Sequence, residues 1–117
     1  MGGSGSNNGG GWDTGIFIES QNCGGQFRFR VLISSGRESV VWNTCMLGDE
    51  VMITTTTDAI PRMAVEIVAK SFEIGVVPPG SSGLIQCIKE GWQYTGTITA
   101  KTGSVVTPVI EVTVKGE

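Results

Sequence analysis

The stretch QFRFRVLIS, residues 26–34, decides the fold class of this chain. Apolar side chains occupy every second position from Phe27 to Ile33, and two arginines, Arg28 and Arg30, lie between them. Successive side chains on a strand point to opposite faces of a sheet, so this spacing predicts a half-buried β-strand. A single strand is not stable alone, so the chain should contain partners for it.

Segments with the same period recur along the chain. Residues 92–100 alternate cleanly, residues 50–57 are rich in β-branched side chains, and residues 105–115 end the chain in the same way. Further strands are predicted for residues 16–20, 38–45, 72–77 and 84–88. About eight or nine short strands at 8–12-residue spacing, without βαβ alternation, predict an all-β fold. We expect an antiparallel β-sandwich of the Ig-like or jelly-roll type.

One segment fits two structures. Residues 63–70 alternate like a strand, but Glu66 and Lys70 also have the i, i+4 spacing of an ion pair on a helix. Strand is favoured because Val65, Ile67 and Val68 are β-branched, and a short helix is the alternative.

The N-terminal residues differ in composition from the rest. Residues 1–11 read MGGSGSNNGGG and contain no apolar residue after Met1. Glycine, serine and asparagine cannot build a core, which predicts a flexible arm. We therefore divide the chain into an arm, residues 1–11, and a single β domain, residues 12–117.

Composition argues against catalysis. The 117 residues include no histidine, which removes the commonest acid–base group and a common metal ligand. No nucleophile–base pair, phosphate loop or metal-ligand motif is visible, so we expect no enzyme activity, no catalytic residues, no cofactor and no metal. The net charge of −3 and the lack of a basic run argue against nucleic-acid binding. The short apolar runs predict no membrane span.

The three cysteines, Cys23, Cys45 and Cys87, are widely spaced. Three buried, reduced thiols are the favoured interpretation. A single disulfide, Cys45–Cys87 or Cys23–Cys45, is the next, and a thiol reserved for an intermolecular bond is the third.

Threonine-rich strands indicate how the domain could act. Only 16% of residues are charged, against about 25% in an average soluble domain. Flat, weakly charged, β-branched faces favour association between sheets. We therefore hypothesise a non-enzymatic structural subunit of a capsid, decoration, tail or filament type that forms homo-oligomers through β faces and the arm. The interface candidates are Trp12, Thr54, Thr56, Thr95, Thr97 and Thr99.

The alternative function is a carbohydrate- or protein-binding adhesion module with an Ig-like fold, in which the arm is a linker. Its ligand-binding candidates are the aromatic residues Trp12, Trp92 and Tyr94, although Trp42 and Trp92 are better explained as core residues. Residues 1–11 do not resemble a signal peptide, so we expect synthesis in the cytoplasm, with later incorporation into a virion or another extracellular assembly under the first hypothesis.

Overall fold

The computed structural model describes residues 17–18, 22–57, 59 and 61–117. The predicted arm and Trp12 lie outside the described residues, as do Asp58 and Ile60. In chain order the elements are β1 (Phe17–Ile18), β2 (Gln26–Arg30), α1 (Glu38–Thr44), β3 (Glu50–Thr55), β4 (Met63–Ile67), a 3-10 turn (Val68–Lys70), β5 (Phe72–Val76), α2 (Ser82–Lys89), β6 (Tyr94–Gly103) and β7 (Pro108–Gly116).

The described strands form one antiparallel sheet in the order β1-β2-β7-β6-β3-β4-β5. The all-β antiparallel prediction is therefore confirmed. Of the ambiguous residues 63–70, the first five form a strand and the last three a 3-10 turn. The predicted arrangement of eight or nine strands in two packed sheets is not found, since the seven described strands belong to one curled sheet.

The curled sheet closes on itself beyond β2. Leu32, just after β2, and Val76 of the edge strand β5 exchange two backbone hydrogen bonds of 2.9 and 3.0 Å, which join the two sides of the sheet. Gly75 makes this approach possible, because a Cβ there would overlap the carbonyl oxygen of Leu32. The enclosed side of the sheet is the core, where strand residues such as Phe29, Val65 and Ile98 are fully buried.

Residues 38–45 were expected to be a strand, and that expectation is wrong. They form α1, which buries Val41. Cys45, which lies one turn after Val41 and directly follows the helix, is also buried. The last turn of α1 contains no basic residue, and two lysines distant in sequence supply the positive charge there. Lys70 donates to the Thr44 carbonyl at 2.7 Å and Lys101 to the Cys45 carbonyl at 2.9 Å, as the negative end of a helix favours.

Residues 84–88 were also expected to be a strand and belong to α2 instead. Leu84 and Cys87 are buried on its inner side. Gly91, with φ of +104°, ends the helix: its N–H donates to the Ile88 carbonyl and that of Trp92 to the Cys87 carbonyl. This is the Schellman pattern, which favours glycine at the left-handed position.

A disulfide joins Cys23 to Cys87, with Cα atoms 5.6 Å apart, and Cys45 is a buried free thiol. The favoured expectation of three reduced thiols and both proposed pairings were wrong. The reason is α2: it turns Cys87 towards the loop before β2, while Cys45 is buried at the end of α1. The disulfide therefore ties α2 to the start of the sheet.

Candidate interaction surface

The outward side of the curled sheet is the surface on which three of the five predicted interface threonines meet. Strand β6 alternates buried Tyr94 and Ile98 with exposed Thr95, Thr97 and Thr99. Cross-strand partners share a face, so the register of the neighbouring strands identifies the remaining outward residues. We call this side the outer face.

Four threonines form the centre of the outer face. Thr97 lies opposite Thr113 of β7, and the hydroxyls of Thr99 and Thr113 are 3.1 Å apart. Thr95 completes the group on the same strand, and we call these four residues the threonine ribbon. Their side chains are short, uncharged and β-branched, so the ribbon can be covered without removing a charge from water.

On one side of the ribbon the outer face is basic. Strands β2 and β7 contribute Arg28, Arg30 and Lys115, together with one carboxylate, Glu111. Arg28 Nε lies 3.8 Å from Glu111 Oε1. These three basic and one acidic side chains carry a net charge of +2, and we call them the basic flank.

On the other side the outer face is acidic. Strands β3, β4 and β5 contribute Glu50, Glu66 and Glu73, and Arg62 precedes β4. Arg62 Nη1 lies 3.3 Å from Glu73 Oε2. These three acidic and one basic side chains carry a net charge of −2, and we call them the acidic flank.

A β-bulge limits the ribbon at its far end. The β6–β7 register shifts between Ile98 and Ala100, so Lys101 pairs with the buried Ile110 and turns towards the inner side. There Lys101 Nζ lies 4.6 Å from the centre of the Trp42 ring. Without the bulge, the same lysine would lie on the outer face and interrupt its uncharged centre.

Two further interface candidates lie away from the ribbon. Thr54 is on the outer face, opposite Ala64 and beyond Met52–Thr95, the last β3–β6 pair. Thr56 belongs to the loop after β3, where its hydroxyl accepts a hydrogen bond of 2.9 Å from the Arg62 N–H. The structure therefore brings together Thr95, Thr97 and Thr99 and places Thr56 outside the group.

The aromatic platform of the alternative hypothesis does not form from its described members. Tyr94 is 1% exposed, donates a 2.7 Å hydrogen bond to the Cys23 carbonyl and packs edge-on against Phe27, so its ring cannot stack on a ligand. Burial raises its pKa, with a smaller contribution from Glu90. Trp92 is 36% exposed in the turn after α2, so its assignment to the core was wrong.

Burial and hydrogen bonding explain the pKa shifts of two further groups, Cys45 and Asp49. Burial raises the pKa of the Cys45 thiol to about 11, partly offset by the charge of Lys101. The hydrogen bond from Lys70, 3.0 Å long, lowers the pKa of Asp49 and fixes the loop after α1. A protonated, buried thiol is a poor nucleophile.

Comparison of the chain with protein-family models, curated protein sequences and solved structures finds no match. Within the described ranges, no helix combines the length and apolar character needed to cross a bilayer. The charge pattern of the outer face was not anticipated from the sequence. The alternation of residues 26–30 and 111–115 assigns their faces, but only the strand order places their charges on one side of the ribbon.

Proposed function

We propose that this protein is a non-enzymatic structural subunit that self-associates through its outer face. The observation that carries the proposal is the threonine ribbon, an exposed and uncharged strip at the centre of the sheet. Covering such a strip with a second sheet costs much less desolvation than covering a charged face.

Two further properties support an assembly role. With only 16% of residues charged, association removes few charges from water, and the net charge of −3 keeps the repulsion between copies small. The Cys23–Cys87 disulfide suits a protein that works outside the reducing cytosol, because structural disulfides persist in oxidising surroundings. A capsid, decoration or tail component of a virion, or a subunit of an extracellular filament, must associate with neighbouring copies and must persist outside the cytosol. The predicted arm, residues 1–11, would then extend the contact to a neighbouring copy.

The experiment is size-exclusion chromatography with multi-angle light scattering over a range of protein concentrations. We expect oligomers of the wild-type chain that are weakened by Thr97→Lys, which places a charge at the centre of the ribbon. Ser35→Lys is the matched control: it adds the same charge at an exposed turn away from the sheet and should leave the oligomers unchanged. Deletion of residues 2–11 tests the contribution of the arm.

A wild-type chain that stays monomeric at every concentration would refute the proposal. Equal effects of Thr97→Lys and Ser35→Lys would show that added charge, rather than its position on the ribbon, controls association. Circular dichroism of each variant shows whether it is still folded.

A carbohydrate- or protein-binding adhesion module is the second candidate, and the exposure of Trp92 favours it. Aromatic rings at a surface stack on sugar faces. A glycan array with the wild-type chain and Trp92→Ala tests it: the substitution should abolish any binding that uses this ring. A chain that binds no glycan, or that binds equally well without Trp92, excludes this ring as a sugar platform.

A further inference from the structure

We propose that two copies of the chain pair outer face to outer face about a two-fold axis parallel to β6, with the basic flank of each copy over the acidic flank of the other. This inference rests on the proposed function and names its geometry. We assign a second copy as the occupant of the outer face because each copy carries both a basic and an acidic flank, which can pair with the opposite flanks of the other copy.

Strand order makes the outer face symmetric about β6. Two strands lie on each side within the sequence β2-β7-β6-β3-β4, and the central strand carries three of the four ribbon threonines. On one side of β6 the adjacent strand, β7, carries Lys115. On the other side the adjacent strand, β3, carries Glu50. Among the described residues the two flanks have equal and opposite net charge, so this part of the face is complementary to its own copy.

The charges of the two flanks are too far apart to satisfy each other within one chain. Lys115, Thr95, Met52 and Glu66 form one row across four strands. Lys115 and Glu66 are therefore three strand spacings apart, roughly 14 Å, against a Debye length of about 8 Å at physiological salt. Within the described ranges, no ion pair engages Arg30, Lys115, Glu50 or Glu66.

Two outer faces can pair about a two-fold axis that is either parallel or perpendicular to β6, and the charges of the flanks distinguish the two arrangements. A two-fold axis parallel to β6 exchanges left and right, which carries Lys115 of one copy beside Glu50 and Glu66 of the other. An axis perpendicular to the strands would keep left and right and would place each flank over its like-charged copy. Juxtaposed like charges disfavour that second arrangement.

The sizes of the side chains match the curvature of the sheet. The core lies on the inner side of a sheet that closes on itself, so the outer face is convex and two copies approach most closely along β6. Short threonines occupy that central line. Long arginine, lysine and glutamate side chains occupy the flanks, where the gap widens and a longer reach is needed.

Charge reversal with complementation tests the pairing. One variant carries Arg30→Glu and Lys115→Glu, and the other carries Glu50→Lys and Glu66→Lys. Because each contact occurs twice in an isologous dimer, we expect each variant alone to dimerise at least about tenfold more weakly than wild type. An equimolar mixture should recover the wild-type dissociation constant to within about threefold, since both contacts are then attractive.

Site-specific cross-linking tests the axis. With Cys23 and Cys87 bonded and Cys45 buried, an engineered cysteine is the exposed thiol available for reaction. Thr97→Cys lies on β6 and should be cross-linked to its copy by a bismaleimide that spans the about 10 Å between stacked sheets. Glu66→Cys is two strands from β6, so it should lie roughly 20 Å from its copy and should not react.

The outcomes separate this inference from the proposed function. If wild type associates but neither charge variant alters the association, or if Glu66→Cys is cross-linked and Thr97→Cys is not, this geometry is wrong and self-association stands. If wild type does not associate, both are wrong. Recovery in the mixture together with cross-linking at Thr97 alone supports the two-fold pairing.

Discussion

Removal of the Cys23–Cys87 disulfide should strongly lower the stability of this domain. The bond joins residues separated by 64 positions. In the chain-entropy account, closing a loop of this length restricts the unfolded chain enough to stabilise the fold by roughly 4 kcal/mol. A domain of this size is stable by only about 5–15 kcal/mol in total, so the loss would be a large share.

The perturbation is the double variant Cys23→Ala/Cys87→Ala, measured by thermal unfolding with and without a phosphine reductant. We expect its midpoint to lie roughly 15–20 °C below that of the oxidised wild type, from the loss above and the usual entropy of unfolding. Reductant should lower the wild-type midpoint towards the same value and leave the double variant unaffected. Cys45→Ala is the control and should keep its sensitivity to reductant, because Cys45 is the free thiol.

Thiol counting refutes or supports the pairing independently of stability. Denatured, unreduced protein should react with a thiol reagent at one cysteine, and after reduction at all three. A wild-type midpoint that does not respond to reductant, or three reactive thiols before reduction, would contradict the assignment of Cys23 to Cys87.

Three other predictions follow from the packing. Gly75→Ala should lower the free energy of unfolding by at least about 2 kcal/mol in urea, because its Cβ overlaps the Leu32 carbonyl, whereas Gly83→Ala, on helix α2 in open space, should raise it by about 0.5–1 kcal/mol. Native Cys45 should resist thiol reagents at pH 8. Its contribution to the free energy of unfolding should be lost as pH rises from 9.0 to about 11, because its thiol ionises first in the unfolded chain. The Cys45→Ala variant should lack that part of the pH dependence. Lys101→Met should lower the free energy of unfolding by about 1–2 kcal/mol, since α1 loses both the hydrogen bond to its last carbonyls and the cation–π contact, and a fluorescence titration in urea measures it.

The strands were predictable because their signal is local. In residues 26–30 and 94–98 the buried and outward positions alternate as the sequence does, since a sheet with one covered face imposes that period. The same alternation in residues 92–100 predicts that Thr95, Thr97 and Thr99 share one face of the sheet.

The two helices were not predictable by that reasoning because they are short and their β propensity is high. Residues 38–44 include Val40, Val41 and Trp42, which favour strands in isolation. What holds them as a helix is tertiary: Lys70 and Lys101 bind the carbonyls at its end from 26 and 56 residues away. For α2 a local signal did exist, since apolar residues spaced three and four apart precede Gly91.

The charge separation of the outer face comes from topology rather than composition. β6 and β7 form a long hairpin, and each of its strands takes its second partner from elsewhere in the chain: β7 pairs with the early strand β2, and β6 pairs with β3. The arginines of β2 and the glutamates of β3 and β4, separated along the chain by helix α1, are thereby placed on opposite sides of one threonine ribbon. Since nothing in the closure of the sheet requires its outward residues to be sorted by charge, the sorting itself is the strongest reason to test the outer face as a self-complementary surface.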